Sequence, residues 1–120
     1  AIEIDAESVV DLANIGINFY KTDQYALANK ALAMCQEYVT DPADDIWQQI
    51  TWVKGLSHYQ AEQWAEALAE FESLLAHDPE NMEYLPRAGM AARKAGNQSK
   101  GDEYLILWEE LKEREIIGGE

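Results

Sequence analysis

Two histidines and one cysteine are the side chains most suited to metal binding or nucleophilic chemistry, and none has the neighbours such chemistry needs. His58 and His77 stand without cysteines or carboxylates at ligand spacing. His58 is expected in an aromatic core place and His77 in the turn after a helix. Cys35 sits at an inward small-residue position with no basic surroundings to generate a thiolate, so it reads as a small hydrophobe. Asp41, Asp44 and Asp45 gather at a helix start, where the helix dipole favours negative charge, and the glycine of a calcium loop is absent. Glu62, Glu66 and Glu70 repeat at a spacing of four and are expected to form a solvated stripe. No glycine-rich phosphate loop, nucleophile elbow or acid–base pair is found, so the chain is expected not to be an enzyme and to need neither metal nor cofactor.

Composition sets further bounds. At 120 residues the chain has the length of one domain, and folding removes roughly two-thirds of the unfolded chain's surface from water. One cysteine excludes an internal disulfide. No apolar run approaches the ~20 residues that span a bilayer, and the opening AIEIDAES lacks the regions of a signal peptide, so a soluble piece without membrane insertion is expected. The chain begins at Ala1 without a methionine, as a processed chain or an excised fragment would. Twenty-three acids against nine bases give a net charge of −14, which disfavours nucleic acid and anionic membrane as partners. Arg87, Arg93, Lys94 and Lys100 nevertheless cluster in one segment, so a local basic patch survives.

The elements that would carry these residues are all helical. Val9, Leu12, Ala13, Ile15, Gly16, Phe19 and Tyr20 recur at three- and four-residue spacings, which predicts a helix over Val9–Tyr20 that Asp5 or Ser8 caps. A turn at 21–24 leads to a second helix over Tyr25–Tyr38. Asp41-Pro42 predicts a third helix from Pro42 to Gln60. A break at 61–63 precedes a fourth, Trp64–Ala76, ended by Pro79. Asn81 is suited to cap a fifth that runs to Lys94, with Pro86 in its first turns removing a bond and tilting it. Ala95-Gly96-Asn97 ends that helix, and a sixth spans Ser99–Arg114 before a frayed tail. No segment alternates over strand length, so the expected fold is all-α, six helices in three hairpins.

The stretch Gln48–Asn81 has fainter copies on both sides. Superposed on Gly16, Gly55 and Gly89, the copies span about 9–41, 48–81 and 82–114, separated by 39 and then 34 residues. Lengthened helices around TDPADD are the simplest source of the five extra residues. Ala28, Ala67 and Gly101 stand twelve after the glycines, followed inward by Leu32, Phe71 and Leu105, then by Cys35, Leu74 and Trp108. This 34-residue pattern resembles the tetratricopeptide repeat, with the third copy degenerate. The opening tryptophan-leucine-glycine-tyrosine of that family is matched only in part: Phe19 and His58 take the aromatic place, and Ala92 does not fit it.

The resemblance implies a right-handed superhelical stack whose concave wall is formed by the first helix of each repeat. Its groove-facing places hold Val10, Ala13, Ile17, Tyr20 and Lys21 in the first copy. They hold Gln49, Trp52, Leu56, Tyr59 and Gln60 in the second, and Glu83, Pro86, Met90, Arg93 and Lys94 in the third. Family members that hold the acidic C-terminus of heat-shock chaperones use a carboxylate clamp. Its places here hold Ala13, Ile17, Val53, Glu83 and Arg87, and only Arg87 suits that ligand. An apolar groove resembles instead the secretion-chaperone and assembly-adaptor members. The expected function is therefore protein or peptide binding. Ile17, Tyr20, Trp52, Leu56, Tyr59 and Met90 would be apolar anchors, with Lys21, Arg93 and Lys94 orienting acidic groups. The alternative is a structural segment of a larger scaffold, or a homo-oligomer, that buries the same face.

Overall fold

The computed structural model describes residues 5–118. Six helices follow one another: α1 (Ala6–Lys21), α2 (Tyr25–Gln36), α3 (Asp45–Gln60), α4 (Trp64–His77), α5 (Tyr84–Lys94) and α6 (Gln98–Gly118), with no strand among the described residues. They pair as hairpins α1/α2, α3/α4 and α5/α6. Each hairpin stacks on the next through α2 against α3 and α4 against α5, while α1 also touches α3. The stack is drawn out, 50 × 32 × 25 Å. Its radius of gyration of 15.5 Å exceeds the roughly 14 Å of a compact domain this long.

Local chemistry accounts for the boundaries. Asp5 accepts from the Ser8 amide at 2.8 Å and starts α1; that hydrogen bond holds the Asp5 carboxyl below its usual range. Asp44 accepts from the Ile46 amide at 2.8 Å and starts α3. Pro42 therefore stands outside α3 instead of opening it: the cap is the aspartate two residues later, and Pro42 Cα lies in the turn that this cap closes. Asn81 accepts from the Glu83 and Tyr84 amides at 2.8 and 3.0 Å, just before α5. Pro86 follows Leu85, whose amide already donates to Asn81 O at 3.1 Å, so the proline lacks the amide that the next bond of the ladder would use, as expected of a proline one turn from a helix start. The five extra residues of the first interval correspond to the greater length of α3, 16 residues against 11 in α5. The sixth helix runs past Arg114 to Gly118.

The three hairpins turn in the same way. After α1 the Asp23 amide donates to Tyr20 O and the Gln24 amide to Phe19 O; Glu62 to Tyr59 with Gln63 to His58, and Gly96 to Arg93 with Asn97 to Ala92, repeat the pair. This double bond pattern satisfies the last carbonyls and requires a left-handed residue between the helices. Asp23, Glu62 and Gly96 supply it with φ of 64°, 61° and 92°.

Glycine sets the closeness of each hairpin. A β-carbon on Gly16 would stand 2.8 Å from Leu32 Cγ, on Gly55 2.6 Å from Phe71 Cε1, and on Gly89 2.7 Å from Leu105 Cγ. The matching residues of the three copies thus meet in the same way. Around these contacts lie two apolar clusters. Ala13, Leu32, Cys35, Ile50 and Val53 join the first two hairpins. Phe71, Leu74, Leu75, Leu85 and Ala88 are among those that join the second and third. Burying a side chain such as Phe71 contributes about 1.5–3 kcal/mol.

Several polar groups between hairpins pair with one another, although Asn29 Oδ1, buried at the first junction, has no partner among the described residues. Lys54 Nζ meets Glu70 Oε1 at 2.9 Å and donates to Gln36 Oε1 at 2.8 Å, while Gln36 Nε2 donates to Glu70 Oε2 and Thr51 Oγ1 at 3.1 and 3.2 Å. Glu70 therefore leaves the expected solvated stripe: its side chain is 16% exposed and held by α2 and α3. Glu62 leaves it too, because it occupies the left-handed turn.

Candidate functional site

The nine expected anchors all lie on the first helices of the hairpins, and they divide by environment. Ile17 and Tyr20 are half-buried against the first apolar cluster, and Leu56 and Tyr59 against the second. Trp52 touches both clusters. Its ring lies 5.5 Å from that of Phe71 and 5.4 Å from that of Tyr84, both tilted, so it joins α3, α4 and α5 as much as it faces outward. Met90 is 40% exposed, and Lys21 is exposed at the end of α1.

The last turn of α3 forms the densest aromatic contact. Tyr59 and Trp64 meet edge to face with centroids 4.9 Å apart. The Arg87 guanidinium lies 6.0 Å from the Tyr59 ring centre, and Lys94 Nζ lies 5.4 Å from that of Trp64. Arg87 and Lys94 are seven apart on α5 and so share a side of it. Neither has a carboxylate partner among the described residues, although the chain is strongly acidic. An aromatic pair carrying two unneutralised cations is suited to an apolar group with a neighbouring negative charge.

Arg93 is engaged elsewhere. It binds Asp102 of α6 through Nε at 3.1 Å and Nη2 at 2.6 Å, and Gln98 donates to the same oxygen at 3.1 Å. Arg93 is thus neutralised by its own hairpin, whereas Lys94 is free of such a partner. Sequence reading missed Trp64, which underlies Lys94, and gave Arg87 a clamp place and a share of the local basic patch but no anchor role. A signal for Trp64 was present: Tyr20/Tyr25 and Tyr59/Trp64 are two copies of one aromatic pair across the turn, the first with centroids 6.0 Å apart. In the third copy the places hold Arg93 and Gln98, the two residues bonded to Asp102.

Two cavities of about 400 and 410 Å³ open away from these anchors. One, against α5 and α6, shares only Arg93 with them; the other lies among Val9, Tyr38, Val39 and Ile46. The shallow side formed by the first helices, with its aromatic and cationic groups, carries more specific chemistry than either cavity.

Cys35 is fully buried with Sγ 3.9 Å from Val9 O, and burial pushes its thiol pKa up, away from the reactive thiolate. His58 is half-buried at the junction of the first two hairpins, with Nδ1 2.6 Å from Gln63 Oε1 and 3.3 Å from Asn29 Nδ2. His77 is exposed at the last turn of α4. Among the described residues no three histidine, cysteine or carboxylate side chains gather at metal-binding distance, and no helix is long and apolar enough to cross a membrane.

The fold and site together define a stack of three helical hairpins with an aromatic, locally cationic side. No model of a known protein family matches the chain, and no curated protein matches it.

Proposed function

We propose that the chain is a tetratricopeptide-type protein-interaction module that binds a partner segment along its first helices, α1, α3 and α5, as an adaptor or an assembly or secretion chaperone. In this reading it catalyses no reaction and holds no cofactor. The observation that carries it is the Tyr59–Trp64 pair under Arg87 and Lys94, two cations left without carboxylates in a chain of net charge −14. Support for the repeat assignment comes from the equal glycine contacts and turns of the three hairpins.

Ile17, Tyr20, Leu56 and Met90 extend the apolar row on either side of Tyr59. Lys21 and Lys94 orient acidic groups of the partner; Arg87 joins them, and Arg93 positions α6. Trp52 shapes the floor.

The test is partner capture from a native extract by Tyr59→Ala/Met90→Ala against the unchanged chain, with circular dichroism of both. The reading expects capture to drop while the helical signal persists. Equal capture by a folded double variant would remove these residues from the site.

A further inference from the structure

The three hairpins share a register, and it identifies which residues face the following hairpin. In α2 these include Asn29, Ala33 and Gln36: Asn29 reaches His58, and Gln36 reaches Thr51, Lys54 and Glu70. In α4 the same places are Leu68, Glu72 and Leu75. The leucines belong to the cluster shared with α5, and Glu72 binds Tyr104 Oη at 2.5 Å and Lys100 Nζ at 3.0 Å. In α6 the places fall on Asp102, Ile106 and Glu109. These three line an open cavity of about 400 Å³ with Leu105, Glu110 and Glu113. Ile106 is 58% exposed. The seam that receives α3 and α5 inside the stack is thus repeated on the outer side of the third hairpin, where none of the described residues fills it.

The charge at this place selects its occupant. Arg93 offsets Asp102, and Lys112 offsets Glu109 at 3.2 Å. Glu110 and Glu113 remain without a cation among the described residues. Inside the stack the incoming α3 brings Lys54, which donates across the seam to Gln36 Oε1 of α2 at 2.8 Å and meets Glu70 of its own hairpin at 2.9 Å. A second copy of this chain stacked end to end would bring α1. The α1 residues in register with Ile50, Lys54 and Ser57 of α3 are Asp11, Ile15 and Asn18, which supply a carboxylate and no cation.

We propose that the outer groove of α5/α6 is a second docking surface, which receives an amphipathic helix of another protein whose narrow apolar stripe covers Leu105 and Ile106 and whose flanking lysines or arginines meet Glu110 and Glu113. The helix takes the place that α3 takes on the first hairpin and α5 on the second. The surface is separate from the Tyr59–Trp64 face and does not depend on it.

The test uses the full chain and three fluorescein-labelled peptides of about 18 residues, long enough to form a helix on a surface: a leucine–alanine amphipathic helix flanked by lysines, its glutamate counterpart, and a scrambled lysine peptide without the stripe. Anisotropy titrations are expected to show binding of the first alone. Ile106→Asn should weaken it by about tenfold or more, as loss of an interface anchor does. Glu110→Gln/Glu113→Gln should weaken it about threefold or more and flatten its salt dependence. Tyr59→Ala should leave it unchanged. Because Ile106 and both glutamates are exposed, these variants should keep the wild-type helical signal. Absence of binding, equal binding of the scrambled peptide, or indifference to Ile106→Asn overturns the proposal. A Tyr59→Ala effect equal to that of Ile106→Asn moves the peptide to the other face and overturns it as well. A dimer in light scattering that Ile106→Asn dissolves would assign the groove to a second copy instead.

Discussion

Phe71 fills the space where a side chain on Gly55 would have to go, with a β-carbon on that glycine only 2.6 Å from Phe71 Cε1. Phe71 is fully buried, so it has nowhere to retreat. Gly16 with Leu32 and Gly89 with Leu105 repeat the relationship, which makes it the ruler of the stack. Gly55→Ala gains up to about 1 kcal/mol of helix propensity and loses about 1–3 kcal/mol through overpacking. The expected outcome is a net loss of up to about 2 kcal/mol in urea denaturation, partly restored when Phe71→Leu is added. A rise in stability by the full propensity gain of about 1 kcal/mol in Gly55→Ala would mean the helices part at no cost.

The turn residue Glu62 holds φ of 61° without being a glycine. The left-handed conformation costs a side-chain-bearing residue about 1–2 kcal/mol, and glycine gives back part of that as unfolded-state entropy. Glu62→Gly should therefore raise stability by about 0.5–1 kcal/mol, and Gly96→Ala should lower it by about 1 kcal/mol. Thermal melts of both variants against wild type check the opposite signs.

Between α2, α3 and α4, the Lys54–Glu70 pair is only 16% exposed on each side and shares Gln36. Removing one partner leaves a charge that water reaches poorly. Glu70→Ala should cost about 1–3 kcal/mol. A double-mutant cycle with Lys54→Ala should return a coupling of about 0.5–2 kcal/mol. A coupling near zero would class the pair with ordinary surface ion pairs.

Tyr104 carries a pH dependence. Its half-buried phenol is desolvated and donates to Glu72, and both effects raise its pKa above the ordinary 10.0. The neutral form is the one the fold favours, so its contribution is complete below that value and fades as pH rises beyond it. Urea midpoints at about pH 8 and about pH 11 should fall less in Tyr104→Phe than in wild type. At neutral pH that substitution should cost about 1.5 kcal/mol, the worth of a hydrogen bond to a carboxylate.

The glycines made the architecture legible: Gly16, Gly55 and Gly89 lie where large inward side chains of the paired helices press closest, and periodicity around them marks all six helices. The turns were half legible. Gly96 announced its left-handed residue, but Asp23 and Glu62 hold the same geometry with side chains that give no such sign. Helix starts depended on which of several aspartates acts as the cap, and Asp44 displaced the Asp41-Pro42 signal. The candidate side was legible as a row of residues, not as an environment. Spacing places Trp52 and Arg93 on the first helices, but their actual partners, Tyr84 and Asp102, come from other helices and set whether they face inward, outward or sideways.

The most direct measurement of the binding account is site-specific photocrosslinking in native extract, with benzoylphenylalanine placed at Met90 on α5 or at Met34, slightly more exposed but on α2. The account predicts one dominant adduct from position 90, none from position 34, and loss of that adduct when Tyr59→Ala is added. An adduct formed equally from both positions, or only from 34, would contradict it.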